Sequence, residues 1–284
     1  MKKLLTAGII TLSISGGAVA QEIFLDIGAD YSNPDIHKAA GDTTTGWKDE
    51  MLLDYYSQSY VDDVDNSGDL SFGDKILSAG GLIGGPNGTL ALNSVGGFTP
   101  GEGFPANGSN NDYGDSWLIS FRFDDLMGTF NGTDFIYSSG TIDWLIFDSS
   151  TGAAEHHLFS TDIQNHTSIP GNQVFSGEVY NFGADVINGV DVGDIFNIKW
   201  GGSSISFEDY TTTYDPFKID FRIDQNTDDP IIVGNTDVGY EDYEFKVESA
   251  KHNASLAFHI PEPTSIALFG LALVGLAGAA RRKV

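Results

Sequence analysis

Trp117, Ile119, Phe121 and Phe123 alternate with Leu118, Ser120, Arg122 and Asp124. A two-residue period of this kind belongs to strands, because successive side chains point to opposite faces of a sheet. The period returns where Ile219, Phe221 and Ile223 alternate with Asp220, Arg222 and Asp224, and again where Tyr243, Phe245 and Val247 alternate with Glu244, Lys246 and Glu248. Each run buries one face and wets the other. Further strands are predicted over 23–27, 51–60, 141–147, 174–182, 195–200, 205–207 and 255–260, most of them separated by Gly, Asn, Asp and Pro. Helical periodicity is scarce. Many short strands, with the 35 glycines largely in the connections, predict an all-β fold, an antiparallel β-sandwich of jelly-roll or immunoglobulin-like kind. Residues 96–115, rich in Gly, Asn and Pro, read as a long exposed loop.

The two ends do not belong to this pattern. Lys2 and Lys3 precede an apolar stretch from Leu4 to Ser15, and Ala18-Val19-Ala20 forms a small-x-small cleavage site, so residues 1–20 read as a helical signal peptide and Gln21 as the first mature residue. At the other end, residues 261–284, Pro261-Glu262-Pro263 is followed by apolar and small residues from Thr264 to Ala280 and then by Arg281, Arg282 and Lys283. Seventeen residues make roughly 25 Å of helix, a marginal single span of a hydrocarbon core about 30 Å thick. The basic cluster is the part that stays on the cytoplasmic side.

This order of Pro-Glu-Pro, a single span and an Arg-rich end resembles the PEP-CTERM sorting signal recognised by exosortases. The resemblance implies export, transient anchoring in the inner membrane, cleavage near Pro261 to Pro263, and release toward the cell surface or the extracellular matrix. A permanent membrane anchor is the simpler alternative.

Between the signals lies the β body, residues 21–260, long enough to bury a sizeable core as one large β domain or two small ones. Cysteine is absent, so stability rests on burial and metal ions rather than on disulfides. Nine basic and 39 acidic side chains fall within the body, a net charge of about −30. That field repels nucleic acid and anionic membrane and favours cations.

One internal motif carries definite chemistry. Asp63-Val64-Asp65-Asn66-Ser67-Gly68-Asp69-Leu70-Ser71-Phe72-Gly73-Asp74 fits a twelve-position loop that wraps calcium, an ion that takes six to eight hard oxygens. Asp63, Asp65 and Ser67 stand at positions 1, 3 and 5, Gly68 at the sharp turn, and Asp69 offers its carbonyl at position 7. Ser71 is placed to hold a water at position 9, Leu70 to anchor the loop on the core, and Asp74 to close the ring, its side chain shorter than the usual Glu. These twelve residues resemble the calcium loops of EF-hands and dockerins, yet no amphipathic helices flank them. An acidic turn between strands is the plain alternative.

A second acidic stretch, 185–194, echoes the first, but Gly189 is out of register and Asn188-Gly189 reads as a hairpin turn. Glu155-His156-His157 lacks metal-ligand spacing and reads as a solvated loop or strand end. No nucleophile elbow, phosphate-cradling glycine loop or cysteine nucleophile occurs, so no catalytic residue is assigned and the chain reads as a non-enzyme. The acidic Gly-Asp loop followed by a strand such as Ser116 to Phe121 is similar to exported PEP-CTERM proteins linked to flocculation and extracellular matrix. That likeness implies a structural or adhesive role in biofilm or flocs, with weak calcium binding and exopolysaccharide as a partner. A secreted carbohydrate-binding or carbohydrate-active protein is the alternative, favoured by aromatics such as Trp47, Tyr55, Tyr56, Tyr60, Trp144 and Trp200 that can stack on sugars, although in a β protein such rings are more often core or cross-strand pairs.

Overall fold

In a computed structural model the described residues are 21–29, 43–81, 93–99, 102–103, 113–114, 116–148, 154–169, 172–200, 202–215, 218–226, 231–232, 243–248 and 252–260. The expected signal peptide, Pro261 to Pro263, and the apolar and Arg-rich tail therefore lie outside the described residues, Gln21 inside them. The strands run β1 (Ile23–Leu25), β2 (Glu50–Tyr55), β3 (Gln58–Asp62), β4 (Lys75–Gly80), β5 (Ser94–Thr99), β6 (Glu102–Gly103), β7 (Trp117–Phe130), β8 (Phe135–Ser139), β9 (Thr141–Asp148) and β10 (Ala154–Ile169). They continue as β11 (Asn172–Tyr180), β12 (Val186–Ile187), β13 (Val190–Asp191), β14 (Phe196–Trp200), β15 (Ser203–Ser206), helix α1 (Phe207–Thr213), β16 (Asp220–Asn226), β17 (Ile231–Ile232), β18 (Phe245–Glu248) and β19 (His252–His259).

The all-β, antiparallel expectation holds, but the sheets are arranged otherwise than in the expected sandwich. Strands β7-β9-β10-β11-β16-β19-β2-β5 pair in that order, and β5 returns to β7 through Ser94 and Ser120, so eight strands close into one barrel-like sheet. The Ser120 hydroxyl donates to the Asn93 carbonyl at 2.6 Å across that seam. Period-two alternation is common to sandwich and barrel walls. Which one forms depends on where the last strand finds its partner.

Long strand β7 serves two sheets. Its first half pairs with β9, while its second half pairs with β4 and β8 and carries a wing of β3, β18 and β17. The barrel interior takes alternating residues of β7, β9, β11, β16 and β19: Ile119, Phe121, Trp144, Ile146, Phe175, Phe221 and Leu256 are all buried. Phe159 is the hub, with ring contacts to Trp144, Phe196, Phe207 and Phe258. Through them α1 and β14 pack against the end of the barrel where β19 finishes.

Several local expectations shift. The predicted strand 51–60 is two, broken at Tyr56 and Ser57. Residues 96–99 belong to β5 rather than to an exposed loop, and Tyr113 is fully buried, donating to the Val95 carbonyl at 2.7 Å. Phe207 opens a helix instead of closing a strand, because the Ser206 hydroxyl accepts the Asp209 N–H and caps it. Glu155, His156 and His157 stand at the start of the 16-residue β10, the strand end that the sequence suggests.

Candidate functional site

The twelve-residue loop 63–74 joins β3 to β4, and it is tight because three of its residues accept left-handed backbone: Asn66 (φ 55°), Gly68 (φ 79°) and Gly73 (φ 98°). Those turns aim the acidic side chains inward. Asp63 accepts the Ser67 N–H at 3.1 Å on one oxygen and the Gly68 N–H at 2.7 Å on the other. Asp65 accepts the Ser67 N–H at 3.0 Å and the Ser71 hydroxyl at 3.0 Å. Asp74, fully buried, accepts the Val64 N–H at 3.2 Å and the Ser71 N–H at 2.6 Å. The Ser67 hydroxyl donates to the Asp69 carbonyl at 2.8 Å. Leu70 packs against Val61, Ile76 and Phe135 and ties the loop to the wing.

One oxygen from each of Asp63, Asp65 and Asp74 lies within 4.8 Å of the other two. This is the group of metal-ligating side chains that converges among the described residues. Each hydrogen bond given to these carboxylates comes from a neutral N–H or O–H. Such donors fix position without cancelling charge. The Ser67 and Ser71 contacts hold the Asp65 carboxyl below its usual range, so it stays ionised. The neighbouring cation, Lys75, turns instead to Asp62 at 2.8 Å. A hard oxygen cluster whose charge no hydrogen-bonded cation among the described residues offsets fits a divalent cation. Glu244 adds a support that local spacing does not reveal: its carboxylate accepts the Asp63 N–H at 2.9 Å from 181 positions away.

The second acidic stretch folds as a hairpin. Asn188 (φ 51°) and Gly189 (φ 84°) form the turn between β12 and β13. Two of its three acids have other partners: Asp191 caps the Gly193 N–H at 3.1 Å, and Asp185 meets His156 at 2.9 Å. Nearby, the Ser160 hydroxyl donates to Asp143 at 2.8 Å and lies 3.1 Å from His157. The His157 contact, first among several, holds the Asp143 carboxyl low. Both the Asp143 and Ser160 contacts fall on Nε2 of His157, so this is not the relay of a nucleophilic triad, in which the acid binds the far ring nitrogen.

Among the described residues, concavities also lie elsewhere on the barrel. A cavity of about 70 Å³ sits inside the wall at the end where β19 begins, lined by Tyr55, Phe121, Tyr137, Phe175, Gln225 and His252 among others. Its polar groups form a chain: the Tyr55 hydroxyl donates to Gln225, whose amide lies 3.1 Å from His252, whose other nitrogen lies 3.1 Å from Ser57. At less than half the ~150 Å³ that admits benzene, it is too small for a sugar ring. A shallower groove over β2, β16 and β19 holds Asp54 and Asp224 but has no aromatic in its lining. Neither combines aromatic walls with paired carboxylates.

The body's ends complete the picture. The Gln21 N–H donates to the Phe258 carbonyl at 2.9 Å, so the first described residue is fastened beside the end of β19. No helix among the described residues is long and apolar enough to cross a membrane. A compact β body thus ends on a barrel strand, and the apolar tail begins directly beyond it. A family model for the PEP-CTERM protein-sorting motif matches residues 259–283. The chain therefore carries a PEP-CTERM sorting motif, which supports export through the exosortase sorting system in general, and of the barrel the match takes in only His259, the last residue of β19. No curated protein and no solved structure matches the chain.

Proposed function

We propose that this protein is a structural or adhesive component of the cell surface or extracellular matrix, with the loop 63–74 binding calcium weakly. The observation that carries this reading is the convergence of Asp63, Asp65 and Asp74 within 4.8 Å on a loop whose donors leave their charge uncompensated. Asp63, Asp65, Ser67, the Asp69 carbonyl, Ser71 and Asp74 are the oxygens that hold the ion. Bound calcium supplies two positive charges that offset the repulsion among the carboxylates and stiffen the β3–β4 turn. Affinity on the order of 0.1 to 1 mM suits an extracellular module. A body of net charge about −30 then reaches other anionic surfaces, exopolysaccharide among them, through calcium rather than directly. In this reading the tail anchors transiently in the inner membrane and is cut near Pro261 to Pro263.

Deletion of the gene in its native bacterium, with aggregation and biofilm scored with and without calcium, tests the role. Loss of aggregation, restored by the wild-type gene but not by one carrying Asp63→Asn and Asp74→Asn, is the expected result. Normal aggregation in the deletion strain would overturn it and favour the sugar-binding alternative.

A further inference from the structure

We infer that the barrel end from which the sorting tail leaves is a lipid-facing surface, and that its occupant is the headgroup layer of the membrane holding that tail. The inference rests on the reading that the tail anchors in the membrane, and adds which face of the body meets it.

The first observation is the absence of a spacer. The sorting motif begins at His259, which is also the last residue of β19. That strand lies between β16 and β2 in the barrel wall, with Asp220 paired to His259. Its exit is fastened from another side as well, by the Gln21 N–H on the Phe258 carbonyl at 2.9 Å. Only Ile260 separates β19 from Pro261, and Thr264 opens the apolar run. Five residues from Ile260 to Thr264 span at most about 18 Å when fully extended. A body so tethered has one end pressed close to the headgroups.

The second observation is what that end displays. Of the four tryptophans, Trp117 and Trp144 are buried in the barrel, whereas Trp47 and Trp200 are part-exposed. Both of the latter surround the exit. Trp200 ends β14, and the neighbouring Lys199 carbonyl accepts the Gln21 side-chain amide at 3.0 Å. Trp200 packs on Tyr214 with ring centroids 5.0 Å apart. Trp47 lies beneath the Lys199 ammonium, 5.0 Å from the ring centroid. Lys218, two residues before the partner of His259, stands at the same end. These lysines are two of the nine basic residues in the body, and each pairs with an acid, Glu22 or Asp215. Amphipathic Trp and Tyr rings beside long lysine stems form the side-chain set that settles at a membrane–water interface, and contact through these rings and stems rather than through net charge is how a body of about −30 meets headgroups.

The third observation is polarity along the barrel. The turn between β10 and β11, the cavity at Tyr55 and His252, and the wing that carries the acidic loop all belong to the opposite end. The nine residues of β11 set the two ends roughly 25 to 30 Å apart. The acidic loop is thereby turned away from lipid and toward whatever the surface meets.

The cysteine-free chain permits a direct test. Full-length protein carrying Ser203→Cys, beside Trp200, or Thr167→Cys, at the far end, is labelled with a fluorophore and reconstituted into phosphatidylcholine vesicles bearing spin-labelled headgroups. Quenching at position 203 at least about twice that at 167 is expected from the separation of the two ends. Equal quenching in protein that floats with the vesicles would overturn the inference and leave the anchor intact. Protein that fails to float would overturn the anchor reading, and the inference with it.

Discussion

Asp63 and Asp74 stand at opposite ends of one twelve-residue loop, both buried, each bringing a carboxylate oxygen within 4.8 Å of the other and of Asp65. Three like charges at that spacing oppose one another unless a cation lies among them. The same loop turns that close the hairpin thus bring three carboxylates together.

Asp65 is the member whose charge is most simply removed, since it is exposed and its partners are the Ser67 N–H and the Ser71 hydroxyl. Asp65→Asn keeps the shape and loses the charge. We expect calcium-free stability to change by less than about 0.5 kcal/mol, as for ordinary surface substitutions, while calcium affinity falls roughly tenfold through the lost ligand charge. Calorimetric titration of the two proteins checks this.

The barrel core is expected to depend on Phe159, which is 1% exposed and touches aromatic rings from β9, β14, α1 and β19. Phe159→Ala leaves a large cavity where the barrel meets α1. A loss of about 3 to 5 kcal/mol is expected in denaturant unfolding.

Two glycines are expected to respond differently to alanine. A Cβ on Gly189 meets nothing within 4 Å, so Gly189→Ala costs only the left-handed backbone at φ 84°, about 1 to 2 kcal/mol. A Cβ on Gly177 falls 1.7 Å from the Asp162 carbonyl oxygen, a clash with the paired strand that costs about 3 kcal/mol or more. Thermal melts of the two variants separate the mechanisms.

Acid should loosen β8. The Tyr137 N–H donates to Nδ1 of His166 at 3.1 Å, an interaction that only the unprotonated ring nitrogen can accept. Burial pushes the His166 pKa below its ordinary 6.5, against the pull of Asp134 and a contact from Gln173. The unfolded chain therefore takes up the proton first as pH falls. Stability from this group is complete above the ordinary value of 6.5 and declines as pH drops from there toward the lower folded value. Protection of the 135–139 amides, taken relative to their intrinsic exchange rates at each pH, is expected to fall over that window in wild type and to lose that step in His166→Gln.

How much of this was legible in the sequence depended on range. The calcium-type loop was readable because its oxygens come from twelve consecutive residues, whereas Glu244 was not, since only the pairing of β18 with β3 brings it there. Strand alternation announced β7, β16 and β18. It failed for β10, where a bulge between His157 and Phe159 breaks the period and leaves Leu158, Phe159, Ser160 and Thr161 buried in succession. Helix α1 has seven residues, too few for a helical period to show; its readable sign was the Ser206 to Asp209 cap spacing. Barrel closure through Ser94 and Ser120 leaves no local trace at all.

The most direct measurement is the Tm of the full-length protein with and without 10 mM calcium. With affinity on the order of 0.1 to 1 mM, the ion is expected to add about 1.4 to 2.7 kcal/mol, or roughly 3 to 10 °C for a chain of this size. Asp74→Asn should lose most of that shift. A wild-type Tm indifferent to calcium would contradict the account.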